Sequence, residues 1–221
     1  MDEIDFFGSS RPRSAEERSR KIEAFQPDPQ KRENFRGYGY NYFDDESYGV
    51  GYGGYHYDGR YAGSVEAMIA HYGLKPGARV LEMGCAKGFV LCEFLKHDMA
   101  VAGIDLSDYA VANAVAEVRP FITQGSCERL AWEDGAFHLV YSKETLPHLT
   151  EAQLPAAIAE AQRVCRTNNI FFEIQVGNDD KARHLITAWD ETHQTVRSAD
   201  WWRQFLLDQN FRGQAHFKAL F

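Results

Sequence analysis

Hydrophobic and polar residues follow two alternating patterns along most of the chain: short apolar runs, and apolar positions at helical spacing. The runs that predict strands lie at 79–84, 99–105, 121–124, 136–141, 169–176 and within the last ten residues. The stretches that predict helices lie at 64–73, 89–97 and 107–120, from 150 to about 165, and from 198 onward. This alternation predicts a doubly wound α/β fold, with a mainly parallel sheet of six or seven strands and helices on both faces.

The first 63 residues follow neither pattern. Residues 1–36 hold eight acidic and eight basic side chains with almost no periodic apolar positions, which predicts a charged N-terminal tail or a helix that folds onto the rest. Residues 37–63 hold eight of the 11 tyrosines and eight of the 18 glycines. Glycine-rich sequence without a regular period predicts ordered loops, so an aromatic structure outside the helices and strands is expected here.

The charge balance and the cysteines disfavour several classes of partner. Asp and Glu number 32 against 24 Lys and Arg, and the formal net charge of −8 opposes binding to nucleic-acid phosphates. The four cysteines form no CxxC pair and no His or Cys lies at finger spacing, so neither a metal site nor a disulfide framework is predicted. No apolar stretch approaches the ~20 residues of a membrane span, and we expect a soluble, cytoplasmic protein.

The first predicted strand runs into a loop that is typical of nucleotide sites. Residues 82–88 form an E-x-G-x-x-x-G sequence directly before a helix, where Gly84 and Gly88 permit a tight turn against a ligand. Asp105 ends the second strand 21 residues after Gly84, where a carboxylate can accept hydrogen bonds from both hydroxyls of a ribose. Together these residues predict a cofactor that contains a nucleoside.

Nicotinamide dinucleotides and S-adenosylmethionine both contain a nucleoside, and the glycine pattern separates them. The dinucleotide fingerprint G-x-G-x-x-G would place glycine at position 82 or 86, where the chain has Glu82 and Ala86. A carboxylate at position 82 also repels a pyrophosphate, whereas it suits the ammonium group of a methionine moiety. The sequence therefore favours S-adenosylmethionine, and a nicotinamide-dependent reductase is the weaker alternative.

Four motifs resemble those of class I S-adenosylmethionine-dependent methyltransferases of the small-molecule type. They lie at 80–88, at 103–107, at 125–130 with 137–140, and at 146–149. The resemblance covers about residues 64–176 and implies a Rossmann-like fold in which 64–221 is the S-adenosylmethionine-binding domain. The residues predicted from it to bind the cofactor are Glu82, Gly84, Cys85, Gly88, Asp105, Leu106, Ser126, Cys127, Glu128 and Lys143. The family usually has an aspartate where Ser126 stands, and one strand after Phe211 replaces its usual antiparallel pair.

Methyl transfer to a hydroxyl or an ammonium group requires a base that removes the proton of the acceptor. His148 follows the fourth strand by a few residues, in the place from which a side chain can face the transferring methyl group. Glu173 lies near the end of the adjacent fifth strand and is predicted to orient the imidazole. Metal-independent sugar O-methyltransferases of this superfamily use a His and an acid in similar places. The alternative is structural: His148 caps the following helix and Glu173 forms an ion pair.

The family places a lid over cofactor and acceptor directly before the first helix, where the Tyr- and Gly-rich segment 37–63 lies. The residues predicted to contact the acceptor are Tyr55, His56, Tyr57 and His193. The favoured function is methyl transfer to a small polar metabolite, at a hydroxyl of a sugar or sugar-like compound, by a monomer or homodimer. The alternatives are a non-catalytic S-adenosylmethionine-binding partner subunit and an N-methyltransferase of a small amine.

Overall fold

The computed structural model describes residues 2–8, 14–26 and 28–221. Its strands are β1 (Arg79–Met83), β2 (Ala100–Asp105), β3 (Ile122–Gln124), β4 (Leu139–Lys143), β5 (Ile170–Val176) and β6 (Gln214–Ala219). Its helices are α1 (Ala15–Ala24), α2 (Pro29–Arg36), α3 (Tyr40–Phe43), α4 (Ala62–Tyr72), α5 (Phe89–Lys96), α6 (Asp108–Ala112), α7 (Leu154–Val164), α8 (Asp180–Trp189) and α9 (Ala199–Asp208). Among these residues, no helix combines the length and the apolar character needed to cross a bilayer.

The strands form one sheet in the order β3-β2-β1-β4-β5-β6, and every pairing in it is parallel. The chain works outward in one direction from β1 and then returns to add β4 on the other side of β1. This topology confirms the predicted doubly wound α/β fold, with six strands in the described residues. The loops after β1 and β4 meet at the carboxyl edge of the sheet above this switch in strand order, which is where ligands bind in folds of this type.

Alternation along the strands divides the core between the two faces of the sheet. Val140 and Phe172 belong to the cluster that packs against α7 and α9, whereas Tyr141 and Phe171 belong to the cluster that packs against α4 and α5. All four side chains are fully buried. Both faces of β4 and β5 are therefore covered, as expected for central strands of a parallel sheet.

Two helices have boundaries that differ from the sequence prediction. Helix α4 begins at Ala62, so Ser64 lies buried in its first turn instead of capping it. Helix α6 ends at Ala112, because the chain then turns and the backbone N–H of Val115 donates to the carbonyl of Lys87. This hydrogen bond holds the segment after α6 against the loop that follows β1.

Helix α8 is an element that the sequence pattern above does not predict. Asp179 caps it by accepting a hydrogen bond from the N–H of Ala182 at 2.8 Å. Ala182 and Ile186, four positions apart, are both buried, which gives the helix an inward face. The helix determines where the following loop lies, and this loop carries His193.

Residues 3–7 pack along β6 and the neighbouring helix face. Glu3 forms an isolated parallel bridge with Ala215, and the N–H of Ile4 donates to the Ala215 carbonyl at 3.0 Å. Phe6 and Phe7 are buried, with ring centroids 4.9 and 6.1 Å from that of Phe171. This short segment therefore completes the core beside β5.

Helix α2 is joined to the Tyr- and Gly-rich segment by an aromatic cluster. Phe35 is fully buried and stacks on Tyr48 at a centroid distance of 4.6 Å. Tyr42 and Phe43 of α3 lie in the same cluster, together with Trp189 at the end of α8. The cluster packs the N-terminal helices over the carboxyl edge of the sheet, next to the loops that follow β1 and β2.

Candidate active site

The loop after β1 depends on backbone conformations that glycine permits. Gly84 and Gly88 have φ angles of +73° and +75°. A Cβ atom at position 84 would overlap the side chain of Thr145, and one at position 88 would lie 2.8 Å from Ile122 and Val118. Both the backbone angle and the available space therefore require glycine, and the loop presents main-chain atoms at the sheet edge.

Asp105, at the end of β2, holds two neighbouring loops. One of its carboxylate oxygens accepts the Ala86 N–H at 2.7 Å, and the other accepts the Ser107 N–H at 2.9 Å. Burial raises the pKa of Asp105, and these backbone hydrogen bonds oppose that rise. A carboxylate has about four acceptor positions, so two remain for ribose hydroxyls. The next residue, Leu106, is 61% exposed and offers an apolar surface for a base ring.

A first cavity of about 670 Å³ opens above these loops, within the range of about 300–1,000 Å³ that is typical of small-molecule sites. Its lining residues are Tyr38, Tyr42, Phe43, Tyr52, Gly84, Ala86, Asp105, Leu106, Gly125, Ser126, Cys127, Lys143, Glu144, Thr145, His148 and Leu149. The lining thus combines the ends of β1, β2 and β4 with aromatic side chains of the Tyr- and Gly-rich segment.

A second cavity, of about 1,170 Å³, adjoins the first. Five residues line both: Tyr42, Tyr52, Lys143, Glu144 and His148. The rest of the second cavity includes His56, Lys218 of β6, and Asp190 and His193 from the loop after α8. The five shared residues mark the junction where a group can pass between ligands in the two cavities.

Comparisons with known proteins identify the family. A family model described as a methyltransferase domain matches residues 80–168. An uncharacterised methyltransferase of Synechocystis is 30% identical over 104 residues, which are 47% of this chain and 49% of the relative. The solved structure of the YcgJ protein from Bacillus subtilis superposes with a TM-score of 0.57 at 19% identity, over 66% of each chain. The chain contains a class I S-adenosylmethionine-dependent methyltransferase domain.

This methyltransferase domain takes S-adenosylmethionine as its methyl donor. The phosphoethanolamine N-methyltransferase 1 of Arabidopsis thaliana is 29% identical over 96 residues, which are 40% of this chain and 19% of the relative. The chain therefore spans about half the length of the Synechocystis relative and about a fifth of the plant relative.

Six of the ten residues predicted to bind the cofactor line the first cavity: Gly84, Asp105, Leu106, Ser126, Cys127 and Lys143. The other four lie behind it. Gly88 is the N-cap of α5, Cys85 is buried beside Gly103, and Glu128 accepts a hydrogen bond from the Ser126 hydroxyl at 2.9 Å. The Ser126 oxygen also accepts the Glu128 N–H at 3.2 Å, which leaves it one lone pair at the position where the family usually has an aspartate.

Glu82 is the fourth of these residues and lies buried in β1, two positions before Gly84. Its Oε2 atom has no hydrogen-bond partner in the part of the chain that the structure describes. Burial raises the pKa of Glu82 to about 8. An orphaned buried carboxylate oxygen beside the glycine loop fits the ammonium group of a methionine moiety, directly or through a water molecule.

His148 lies in a short 3-10 turn after β4 and is held by a chain of hydrogen bonds. Its Nδ1 atom lies 2.9 Å from the Thr192 hydroxyl oxygen, and that hydroxyl donates to Asp190 at 2.6 Å. Since the hydroxyl proton goes to Asp190, Nδ1 of His148 is the donor to Thr192 and Nε2 is the acceptor nitrogen. Burial and the neighbouring His193 lower the pKa of His148 to about 4, so the ring is neutral at pH 7.

Glu173 does not orient His148, which corrects the predicted catalytic pair. The sheet register places Glu173 beside Lys143, five residues before His148. Its buried carboxylate lies 3.6 Å from Lys143 Nζ, 3.7 Å from Lys218 Nζ and 3.4 Å from His216 Nδ1. Glu173 is therefore part of an ion-pair network, and Asp190 supplies the acid next to His148 through Thr192.

Three of the four residues predicted to contact the acceptor line the second cavity: Tyr55, His56 and His193. Tyr57 is the exception and corrects the prediction. Its hydroxyl forms hydrogen bonds with Glu93 and Lys96 of α5, so its ring faces that helix. Tyr55 packs on Phe89 at a centroid distance of 4.2 Å and belongs to the wall of the second cavity.

A pair of oppositely charged side chains lies at the junction of the cavities. Burial lowers the pKa of Lys143, but the charges of Glu144 and Glu173 outweigh it and hold the pKa well above its usual value. Burial likewise raises the pKa of Glu144, but Lys143 and Lys218 hold it well below its usual value. Glu144 also accepts a hydrogen bond from Gln175 at 2.7 Å. Both groups are therefore charged and engaged with each other.

Proposed function

We propose that this methyltransferase acts on a hydroxyl of a small polar metabolite, a sugar or sugar-like compound, with His148 as general base. The junction of the two cavities carries the proposal. Burial raises the pKa values of Tyr42 and Tyr52, and ion pairing raises that of Lys143, so these groups keep their protons at neutral pH. Glu144 is engaged by two lysines. The neutral ring of His148 is the group at the junction that is free to accept a proton.

The lining of the second cavity supports a polyhydroxylated acceptor. Tyr52 and Tyr55 form an aromatic surface with ring centroids 4.3 Å apart. Gln175, His56 and Arg60 add hydrogen-bonding groups around it. A sugar presents C–H faces that pack on aromatic rings and hydroxyl edges that bond to polar side chains, so its two surfaces match those of the cavity.

S-adenosylmethionine, when bound, supplies an electrophilic methyl group. His148 Nε2 accepts the proton of the attacking hydroxyl while Nδ1 keeps its proton toward Thr192. Asp190 is ionised, since the two histidines and Thr192 outweigh the effect of burial and lower its pKa, and its charge stabilises the imidazolium that forms. Tyr42 and Phe43 cover the first cavity and exclude water. Most of the catalysis is then the positioning of the nucleophile.

We further propose a role in small-molecule biosynthesis in the cytoplasm, by a monomer or homodimer that binds no nucleic acid and no membrane. The net charge of −8 supports the exclusion of nucleic acid. The four cysteines are free buried thiols, which suits a reducing compartment.

The test combines calorimetry with S-adenosylhomocysteine and mass spectrometry of a metabolite panel incubated with S-adenosylmethionine. We expect micromolar cofactor binding and a mass increase of one methyl group on sugars or polyols. Cofactor binding without any methylated product would contradict the proposal and support a non-catalytic partner subunit. Methylation of amines but not of polyols would instead support N-methylation, the reaction named for the plant relative.

A further inference from the structure

His193 forms a pair with His148 that the base mechanism above does not use. The two imidazole rings stack with centroids 4.3 Å apart and planes inclined by 21°. His193 is only 8% exposed and lines the second cavity. Its Nε2 atom is buried and has no hydrogen-bond partner among the described residues. A buried polar atom without a partner is unfavourable, so this nitrogen points to a ligand group that the protein does not itself supply.

The tautomer of His193 follows from its other nitrogen. Nδ1 lies 2.9 Å from the backbone carbonyl oxygen of Asp190, which can only accept, so Nδ1 carries the proton. In the neutral ring Nε2 is then an acceptor, as it is in His148. The Nδ1 atoms of both rings bond to the same turn, at Asp190 and Thr192. Their Nε2 edges therefore both lie on the side away from that turn.

We propose that the two Nε2 atoms accept hydrogen bonds from two neighbouring hydroxyls of the acceptor, which makes a vicinal diol the group that this enzyme methylates. This inference rests on the proposed function. One hydroxyl gives its proton to His148 Nε2 as its oxygen forms the new bond to the methyl carbon. The bond from that carbon to sulfur breaks, and S-adenosylhomocysteine leaves as a neutral thioether. The adjacent hydroxyl stays intact on His193, so the product is a monomethyl ether next to a free hydroxyl.

A metal ion is the competing occupant, since His148, Asp190 and His193 each offer one ligand atom within 4.8 Å of the others. Two observations oppose it. Nearly parallel rings have nearly parallel in-plane lone pairs, which do not converge on one ion at about 2.1 Å from each nitrogen. Both carboxylate oxygens of Asp190 already accept hydrogen bonds, one from the Thr192 hydroxyl and the other from the Tyr42 hydroxyl at 2.9 Å.

His193 is thus a specificity residue, and its role can be read without turnover. The probes are cis-1,2-cyclohexanediol, cyclohexanol and cyclohexylamine, titrated into the protein loaded with S-adenosylhomocysteine. The readouts are the 15N resonances of the histidine rings and the dissociation constants. We expect the diol to shift Nε2 of both His148 and His193, and to bind about tenfold more tightly than cyclohexanol.

The variant His193→Phe keeps a stacked ring and removes the nitrogen. We expect it to bind diol and cyclohexanol with equal affinity, while the matched control His184→Phe, at an exposed position of α8, keeps the tenfold preference. His193→Asn is the second variant, used where thermal unfolding shows that the phenylalanine variant is not folded.

Equal affinity of the wild-type protein for diol and cyclohexanol would overturn the inference, as would an unchanged preference in both folded His193 variants. Tighter binding of cyclohexylamine than of the diol would overturn it in favour of an amine site. Stoichiometric Zn²⁺ binding that shifts both Nε2 resonances would overturn it in favour of a metal. A diol that binds both rings and is never methylated would support the diol site and contradict the proposed function.

Discussion

The two cavities of this methyltransferase are built by different means, although they share five residues. The first is shaped mainly by backbone, with positive φ angles at Gly84 and Gly88 and with Asp105 bound to two backbone N–H groups. The second is shaped by side chains from segments far apart in sequence, such as His56 and His193. Backbone geometry fixes a site for one constant ligand, whereas a side-chain lining can change with the acceptor while the fold stays the same.

The largest expected effect is on turnover, at the junction where the two cavities meet. We expect His148→Ala to lower kcat by about 10² to 10⁴, because the acceptor loses its base, while affinity for S-adenosylhomocysteine stays within about twofold. Steady-state kinetics and calorimetry measure the two quantities. His184→Ala, at an exposed position of α8, is the control. Unchanged turnover in His148→Ala would remove this residue from the mechanism.

A second change separates the cavities from the side of the cofactor. We expect Gly84→Ala to weaken binding of S-adenosylhomocysteine by at least about 100-fold, since the new Cβ meets Thr145 and the backbone has a positive φ. Gly63→Ala is the matched control, because a Cβ there lies in open space and φ is not positive. Wild-type affinity in Gly84→Ala would show that the backbone of this loop does not shape the first cavity.

The acids beneath the two cavities are expected to differ in protonation. Glu82 has a pKa of about 8 in the folded state, above its ordinary value of 4.5. Between these values the folded protein holds a proton that the unfolded chain releases, so this group lowers the free energy of unfolding as pH rises from 4.5 to 8. Asp190 has a lowered pKa and adds no such dependence in that range.

Urea unfolding of the cofactor-free protein at pH 5.5, 7.0 and 8.5 measures this difference. We expect Glu82→Gln to remove part of the loss of stability with rising pH, whereas Glu66→Gln, at an exposed position of α4, leaves it unchanged. The same slope in wild type and Glu82→Gln would show that Glu82 is ionised in the folded state.

The smallest expected effect concerns the attachment of the N-terminal helices to the second cavity. Arg32 and Arg36 both pair with Glu191, at 2.6 and 2.8 Å, and so join α2 to the loop that carries His193. We expect Glu191→Gln to raise KM for the acceptor about two- to fivefold without changing cofactor affinity, because partly exposed ion pairs contribute little. Added salt should have the same effect on the wild type. Asp180→Asn, which breaks a pair within α8, is the control, and an equal rise in its KM would argue against this role.

The features that sequence predicts well are those whose signal is local. The loop with Gly84 and Gly88 is confined to a few residues, and Asp105 follows at the end of the next strand, so their chemistry can be read from spacing alone. His148 follows β4 closely and lies at the junction for the same reason.

The acid next to His148 could not be found in this way. Adjacency of β4 and β5 is correct, but the register places Glu173 beside Lys143 rather than beside the turn that carries His148. Asp190 reaches the site because α8 directs the following loop there. The apolar spacing of Ala182 and Ile186, with Asp179 as a cap, was the available signal for this helix. The contact of Tyr42 with Asp190 depends on packing between distant segments, for which no short-range pattern exists.

The bridge between Glu3 and Ala215 joins positions that are 212 residues apart in sequence. Contacts of such long range form late, since the loop they close is entropically costly and β5 and β6 must already be in place. During synthesis, Phe6 and Phe7 leave the ribosome long before Phe171 does, and they stay exposed on the nascent chain until β5 is made. The aromatic residues that seal the core beside the active site are therefore also the ones that a chaperone meets first.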